Sequence, residues 1–388
     1  MAFRWFLSRT VREAMDLSNR IHKAMRAQQD LLTTGALNAI GQSNAELQRA
    51  IASGNDTNVL ERANGLESVA KECLKPYPNA SLRENVEVML VALVLAVSIR
   101  TFFLQPMAIP TGSMQPTLSG VTHVDLRNDP GFVMPPFWKR IVNSLTRGIQ
   151  YYQLTAVEDG IFERFEPRET LFPCITRQRL VVSKRPYSVW FPPEDLPEKS
   201  GLLSGNPVRK GKDIIRLKVI SGDRLFVDRF TYNFRPPERG EVIVFLTEGI
   251  GDKGLDGVQQ DTHYIKRLVG MPGETLVIGN DRHVIVDGRR LDASTPHFEN
   301  IYSFSGPPAD SLYSGHLNIK GLRESGDSFA IKLKQPYVLP QNKYFVLGDN
   351  TVNSYDSRYW GFVPRENVVG RQWFVFWPIS PRFGWSVR

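Results

Sequence analysis

Ile109-Pro110-Thr111-Gly112-Ser113-Met114-Gln115-Pro116-Thr117-Leu118 follows closely on an apolar run, and far downstream comes Tyr264-Ile265-Lys266-Arg267-Leu268-Val269-Gly270-Met271-Pro272-Gly273-Glu274. Gly and Pro punctuate both strings, so one serine and one lysine stand inside well-marked turns. A third string, Gly348-Asp349-Asn350, leads on to Asn353-Ser354-Tyr355-Asp356-Ser357-Arg358-Tyr359-Trp360-Gly361-Phe362-Val363-Pro364. Around the three lie short runs rich in Val, Ile, Phe and Tyr, such as Arg224-Leu225-Phe226-Val227-Asp228 and Glu241-Val242-Ile243-Val244-Phe245. Bounded by Gly, Pro and Asp, such runs read as strands joined by turns, and everything after residue 104 is expected to be mainly antiparallel β.

A serine hydroxyl is a poor nucleophile until a base takes its proton. Six histidines are present, His22, His123, His263, His283, His297 and His316, but no serine sits in a G-x-S-x-G elbow and there is no H-E-x-x-H. A His-based triad and a zinc hydrolase therefore have no positive support. A lysine serves instead when burial among apolar neighbours keeps its amine neutral near working pH. Tyr264, Ile265, Leu268 and Val269 give Lys266 that context. Arg267 adds a like charge in sequence, although adjacent side chains on a strand point to opposite faces. Singly, a strand lysine is more often solvated and a Gly-Ser pair more often a plain turn; the conjunction with the third string reverses that balance.

The three strings resemble those of type I signal peptidases, over roughly residues 84 to 120 and 222 to 378. The resemblance implies a signal-peptidase-type antiparallel β catalytic domain, with Ser113 of the S-M-x-P-T motif as nucleophile and Lys266 as general base. It implies that Thr111 adds a side-chain hydroxyl to an oxyanion hole completed by the backbone N–H of Ser113. Ser354 would hydrogen-bond the lysine, and Asp356 and Arg358 would form a supporting ion pair. Thr351 and Val352 depart from the Arg and Asp commonest at those positions. A cut after Ala-x-Ala needs shallow apolar pockets, and by resemblance Met107, Ile109, Val244, Tyr264 and Ile265 line them, although each is equally well a core side chain. The strand Arg239-Gly240-Glu241-Val242-Ile243-Val244-Phe245 would line the same groove. No cofactor or metal is implied. The implied partners are signal peptides of exported preproteins, membrane lipid and the secretion machinery.

At 388 residues, 41% hydrophobic and 23% charged, the chain has globular composition and room for a sizeable core. A net charge of +8 fits nucleic acid, an anionic membrane or an acidic partner, and decides nothing by itself. Cys73 and Cys174 are too few for a disulfide framework or a Cys-based zinc site. Near the start, Arg4, Arg9, Arg12, Arg20 and Arg26 accompany no apolar run beyond Trp5-Phe6-Leu7, which is not a cleaved leader. Glu13, Asp16 and Asp30 argue against a transit peptide. Residues 1–80 are expected to form an α-helical cytoplasmic extension, with Ser53-Gly54-Asn55-Asp56 as a turn and Asp56 or Thr57 as N-cap. Nothing there reads a base sequence, so no nucleic-acid partner is expected.

Beyond Lys75-Pro76-Tyr77-Pro78, residues 84–104 are expected to form one transmembrane helix. Its uninterrupted apolar core, Val88 to Ile99, is only twelve residues, a length that also suits a buried helix; Glu87 and Arg100 fall near its ends, where long side chains snorkel. Lys71, Lys75 and Arg83 precede it, and after Arg100 no Lys or Arg appears until Arg127. That asymmetry puts the N-terminus in the cytoplasm and residues 105–388 on the outer, periplasmic face of a bacterial-type inner membrane, with Cys73 and Cys174 on opposite sides. Residues 119–221 are an insertion of unread role, with Pro135-Pro136-Phe137-Trp138 and a basic stretch at Arg209, Lys210 and Lys212. Trp373, Phe374, Phe376, Trp377, Phe383 and Trp385 are either core or a patch resting on the bilayer. Two further readings remain open: a soluble self-cleaving Ser/Lys regulator with a DNA-binding head, which needs a helix-turn-helix absent from the first 76 residues, and an inactive signal-peptide-binding scaffold. The joint presence of Ser113, Lys266, Thr111 and Ser354 argues against lost activity.

Overall fold

The computed structural model describes residues 8–53, 55–75, 79–129, 131–173, 175–250, 258–303, 315–317 and 336–385. Trp5-Phe6-Leu7, Gly54, Pro76-Tyr77-Pro78 and Cys174 lie outside the described residues. The chain divides into two compact units, Met1–Val94 and Leu95–Arg388.

The first unit holds α1 (Arg9–Ala27), α2 (Thr34–Ser53) and α3 (Asp56–Cys73), three helices whose apolar stripes meet in one core of Val11, Ile21, Ile40, Leu47, Ile51, Val59 and Leu66. The expected turn Ser53-Gly54-Asn55-Asp56 includes Gly54, which lies outside the described residues, and the N-cap of α3 is Asn55 rather than Asp56 or Thr57. Its side-chain oxygen accepts from the N–H of Thr57 at 3.1 Å and of Asn58 at 3.4 Å. Asp56 instead occupies the first helical turn, where its charge suits the helix dipole.

Helix α4 (Ala80–Ser98) runs on through a π turn, Ile99–Phe103. Within it Leu82–Phe103 is a 22-residue stretch of mean hydropathy 2.1 with none of its most apolar part buried. Its length, about 33 Å as helix, makes it the one helix among the described residues long and apolar enough to cross a membrane. Leu104, expected at the helix end, already belongs to the first strand.

In the second unit the strands in chain order are β1 (Leu104–Ala108), β2 (Thr122–Asp125), then after α5 (Phe137–Arg147) β3 (Ile149–Thr155), β4 (Gly160–Phe165), β5 (Glu169–Phe172), β6 (Ile175–Val182) and β7 (Arg185–Trp190). The short α6 (Leu196–Ser200) leads to β8 (Pro207–Val208), β9 (Asp213–Ile220), β10 (Arg224–Asp228), β11 (Val242–Leu246) and β12 (His263–Gly270). Then come β13 (Thr275–Ile278), β14 (Val284–Val286), β15 (Arg289–Arg290), β16 (Tyr337–Val338) and β17 (Lys343–Leu347); after α7 (Ser357–Trp360) follow β18 (Val363–Pro364), β19 (Val368–Trp377) and β20 (Gly384–Trp385). The main sheet has the order β1-β10-β19-β11-β12-β17-β18, with β20 against β19, and its pairs are antiparallel. The mainly β expectation is met, with helices ahead of it.

Both faces of the main sheet are covered, which explains why β11 reads as a continuous apolar run. Val242 and Val244 pack with Ile109, Met114, Leu118 and Leu225 on one face, and Ile243 and Phe245 pack with Leu268, Tyr344 and Trp360 on the other. A smaller sheet, β15-β14-β13-β16, builds its core on Leu276, Val284, Phe298 and Tyr302. Residues 119–221 carry sheets β2-β9-β3 and β5-β6-β4-β8 around a core of their own with Phe162, Leu180, Leu196 and Leu217.

Asn55→Ala removes the acceptor for two amides at the start of α3, a loss of about 1 kcal/mol. Amide exchange at Thr57 and Asn58 in the full chain is expected to accelerate several-fold while exchange in β11 stays unchanged; equal exchange in both proteins would show that Asn55 does not cap the helix.

Candidate active site

The Ser113 turn is anchored from beneath by its apolar neighbours. Met114 and Leu118 are fully buried in the core that also holds Ile109 and Val244, so the backbone between them is lifted at the sheet surface. Asp223, at the start of β10, ties the two ends of the loop: its carbonyl accepts from Ile109 N–H at 2.9 Å, its N–H donates to the Ser119 carbonyl at 2.8 Å, and its carboxylate accepts from Ser119 N–H at 2.7 Å. Arg382 neutralises that carboxylate at 2.7 Å. From the third motif, Asn350 N–H donates to the Ser113 carbonyl at 3.1 Å and Asn350 Nδ2 to the Gly112 carbonyl at 3.0 Å.

Lys266 lies in the middle of β12, opposite Ile243, and is only 5% exposed. Its Nζ is 2.6 Å from Ser113 Oγ. Burial lowers the amine to about 8 from its ordinary 10.5, with Asp356 and Asp349 pulling it back up and Arg358 pushing further down. Each carboxylate near it already has an arginine of its own. Arg267, on the opposite face of β12, grips Asp349 in bidentate fashion at 2.7 and 2.6 Å, and Thr117 Oγ1 donates to the same carboxylate. Arg358 grips Asp356 at 2.8 and 2.9 Å and donates to the Thr351 carbonyl at 2.9 Å. The Asp356 carboxyl is pushed up by burial, but the Arg358 charge and hydrogen bonds and the Gly348 N–H hold it below the usual carboxylate range. Lys266 is thus a surplus cation with a hydroxyl for a partner, the setting in which an amine gives up its proton most readily.

Thr111 Oγ1 is 3.4 Å from Ser113 Oγ, on the exposed side of the loop. The expected hydrogen bond between Ser354 and Lys266 is not made in this structure: Ser354 Oγ is buried and has no hydrogen-bond partner. It packs against the Cα of Gly348, where an added Cβ would run into both Ser354 Oγ and the Ser113 carbonyl oxygen. Thr351 is fully buried, with its carbonyl serving Arg358, and Val352 is exposed. The departure from the usual residues at these two positions leaves both ion pairs formed.

A cleft of about 420 Å³ opens over the pair. Ile109, Tyr264 and Ile265, three of the five residues expected along the substrate pocket, line it together with Thr111, and Gln259, Thr262, His263, Asn353 and Tyr355 add polar and aromatic wall. Val244 and Met107 do not line it. Val244, 1% exposed, points from β11 into the core, and Met107 packs on that same core from β1. His316 was not legible as a participant: its Nε2 donates to the Gly348 carbonyl at 3.1 Å, while Nδ1 accepts from the Tyr302 hydroxyl at 2.9 Å. Because a carbonyl only accepts, this fixes the tautomer, and burial lowers the imidazole to about 4, keeping it neutral.

The model of the family described as signal peptidase, peptidase S26, matches residues 82–125 and 216–377, just over half of the chain and all three motifs. The chain belongs to this signal peptidase family. Residues 126–215 lie between the two matched stretches, whereas 119–125 and 216–221, expected as part of an insertion, fall within the match. Among similar proteins, a probable signal peptidase I-2 from Synechocystis sp. is 37% identical over 42% of this chain and 58% of its own length. A signal peptidase I from Leptolyngbya laminosa is 34% identical over 41% of this chain and 62% of its own, and signal peptidase I P from Bacillus subtilis subsp. natto is 32% identical over 42% and 71%. The chain thus spans about three fifths of the length of the first two. A solved signal peptidase I from Enterococcus faecalis V583 aligns with TM-score 0.23 and 27% identity over 35% of this chain and 97% of that one.

Gly348→Ala forces the Ser113 carbonyl or Ser354 to move, and a shift of roughly 1 Å at a reacting group costs on the order of 100-fold in rate. Loss of that size in peptide cleavage, with cooperative unfolding preserved, is the expected result; near-normal cleavage by Gly348→Ala would contradict the tight packing behind Ser113.

Proposed function

We propose that this chain is a membrane-anchored serine endopeptidase that removes signal peptides from exported preproteins, with Ser113 as nucleophile and Lys266 as general base. The observation that carries the reading is the 2.6 Å approach of a buried, carboxylate-free lysine amine to a serine hydroxyl at the floor of a cleft. An inactive scaffold has no need of that arrangement.

In the reacting state the neutral amine accepts the Ser113 proton as Oγ attacks the scissile carbonyl. The oxyanion is met by the Ser113 N–H and the Thr111 hydroxyl. As the tetrahedral intermediate collapses, the Lys266 ammonium returns its proton to the departing amine, leaving an ester on Ser113. Lys266 then takes a proton from water as its oxygen attacks the ester carbonyl, and on collapse the ammonium returns that proton to the departing Ser113 Oγ, freeing the signal peptide as its carboxylate and restoring the neutral amine. Ser354, unpartnered here, accepts a hydrogen bond from the Lys266 ammonium once it forms, since catalytic hydrogen bonds tighten in the reacting complex. Asp356 and Arg358 hold the loop that carries it.

Substrate recognition follows from two open edges. Among the described strands β1 pairs only with β10, and β17 covers β12 only from Arg267 onward. An extended peptide laid between β1 and the His263–Lys266 edge gains main-chain hydrogen bonds, and alternate side chains enter the cleft. Ile109, Tyr264 and Ile265 leave shallow apolar room suited to Ala-x-Ala. Leu82–Phe103 spans the bilayer once, with the Lys71, Lys75 and Arg83 side cytoplasmic and the β-rich unit on the periplasmic face, beside the secretion machinery.

Cleavage of an Ala-x-Ala preprotein by purified full chain in liposomes tests the function. Wild type is expected to cut after the second Ala, and Ser113→Ala and Lys266→Ala to be silent; binding without cutting by wild type would establish the scaffold instead. Because the base must be deprotonated, kcat/KM is expected to rise tenfold per pH unit below about 8 and level off above it. A profile flat from pH 6 to 9 would exclude Lys266 as base.

Thr111→Val is expected to lower kcat by about 100-fold, the usual effect of losing one oxyanion donor, while Thr111→Ser retains most activity. Ser354→Ala is expected to lower kcat and shift the pH midpoint; an unchanged midpoint would assign Ser354 to packing alone.

A further inference from the structure

Helix α5 is amphipathic in the opposite sense to an ordinary surface helix. Phe137, Trp138, Ile141, Val142 and Leu145 share one side by helical spacing, and all five are exposed, Phe137 at 76% and Leu145 at 71%. Arg140, Asn143, Ser144 and Thr146 share the other side and are half-buried. The polar side is the one fixed to the protein: Arg140 Nη2 donates to the Tyr151 carbonyl at 3.0 Å. At the far end Trp377 Nε1 donates to the Leu145 carbonyl and the Ile379 N–H to the Thr146 carbonyl, each at 2.7 Å. Gly148 then closes the helix in the left-handed region, φ 65°, against the Trp377 ring. The apolar strip continues into a neighbouring cleft of about 510 Å³, where Phe137 and Ile141 face Tyr152, Trp190 and Phe191. A helix held by its polar side, with five large apolar side chains in water, is built to meet a second apolar surface.

We propose that this surface is the lipid bilayer itself, and that α5 lies in the headgroup region as a second membrane contact of the catalytic unit. The proposal rests on reading Leu82–Phe103 as the membrane span. Trp, Phe and aliphatic side chains on one side, with exposed Lys139 and Arg147 among the polar residues of the other, are the composition of helices that lie in an anionic interface. Reach supplies the second argument. Phe103 ends the apolar helix, β1 starts at the next residue, and Trp377, which holds α5, sits opposite Arg224, itself opposite Ala108 of β1. Two strand spacings and five residues of strand place the α5 anchor roughly 20 Å from where the chain leaves the apolar helix. The helix belongs to residues 126–215, outside the family match, so the peptidase reaction assigns it no role. With the span as one tether and α5 as another, the Ser113 cleft is held at a fixed height and tilt over the membrane.

The test uses the full chain, Cys73→Ser and Cys174→Ser, with Leu145→Cys carrying an environment-sensitive fluorophore. It is reconstituted into phosphatidylcholine vesicles containing a minority of phosphatidylglycerol, with or without nitroxide-labelled acyl chains. The label at Leu145→Cys is expected to shift to the blue and lose most of its emission to the nitroxide lipid, while the same label at Lys139→Cys keeps its emission. Equal quenching at both positions, or at neither, overturns the proposal. So does a blue shift that nitroxide lipid leaves unquenched and that grows with protein concentration, which marks a second copy, or one that appears only with preprotein, which marks substrate. In kinetics, Trp138→Asp with Leu145→Asp is expected to raise KM several-fold for preprotein in those vesicles and leave cleavage of a short peptide in detergent unchanged; an unchanged KM contradicts the proposal. A wild type that cuts neither substrate removes the peptidase reading, and the quenching result stands independently of it.

Discussion

The burial of the Lys266 amine without a carboxylate of its own is the constraint on which the rest of the structure depends. Taking an ammonium out of water is costly, and the cost is reduced either by pairing the charge or by losing the proton. Here the two nearby carboxylates are engaged, Asp349 by Arg267 and Asp356 by Arg358. Proton loss is therefore the cheaper course, and the amine falls to about 8. Had either arginine been missing, a free carboxylate beside Lys266 would have raised the amine and made it hold its proton more tightly. The two ion pairs do not act on substrate; they keep negative charge away from the lysine while tying β12 and the loop after β17 into one rigid frame.

That frame also sets where the serine stands. Asp223 fastens the loop at Ile109 and Ser119, Asn350 fastens Gly112 and Ser113 from the other side, and Gly348 lets the third motif approach the Ser113 backbone more closely than any side chain permits. His316 and Tyr302 back the Gly348 carbonyl with a neutral hydrogen-bonded pair. The Gly348–Asn350 stretch thus meets the Gly112–Ser113 peptide directly while Asp223 holds the two ends of the loop, and the hydroxyl-to-amine distance follows from this long-range support rather than from the local turn.

Much of this was legible in the sequence because the signals were local. The Val/Ile-rich runs became strands, the apolar run became an uncovered helix, and Ser113 and Lys266 met as their strings implied. What was not legible depended on which way a strand turned its side chains. Val244 reads like a pocket residue, yet the face of β11 that carries it is buried against Ile109 and Leu225. Asp223 looks like a turn aspartate, and its grip on Ser119 spans 104 positions of sequence. His316 stands amid a stretch with no motif, so nothing in its neighbours announces a partner at Gly348. Asn55 displaced Asp56 as the cap of α3 because either residue type fits, and one position of offset is beyond what a turn signature resolves. Residues 137–147 fall in the stretch whose role was left unread, and the helical spacing of their apolar side chains does not say which side of α5 faces the protein.

The most direct test of the account is the titration of the Lys266 amine itself, followed by heteronuclear NMR of the lysine side chain in full-length Ser113→Ala protein, with Lys266→Arg to assign the signal. The account predicts a midpoint near 8, well below the ordinary 10.5, and an upward shift when Arg358→Met leaves Asp356 uncompensated. A midpoint near 10.5 in a folded protein would contradict it, because near neutral pH such an amine is in the neutral form needed to take a proton from Ser113 roughly 300-fold less often than one with a midpoint near 8.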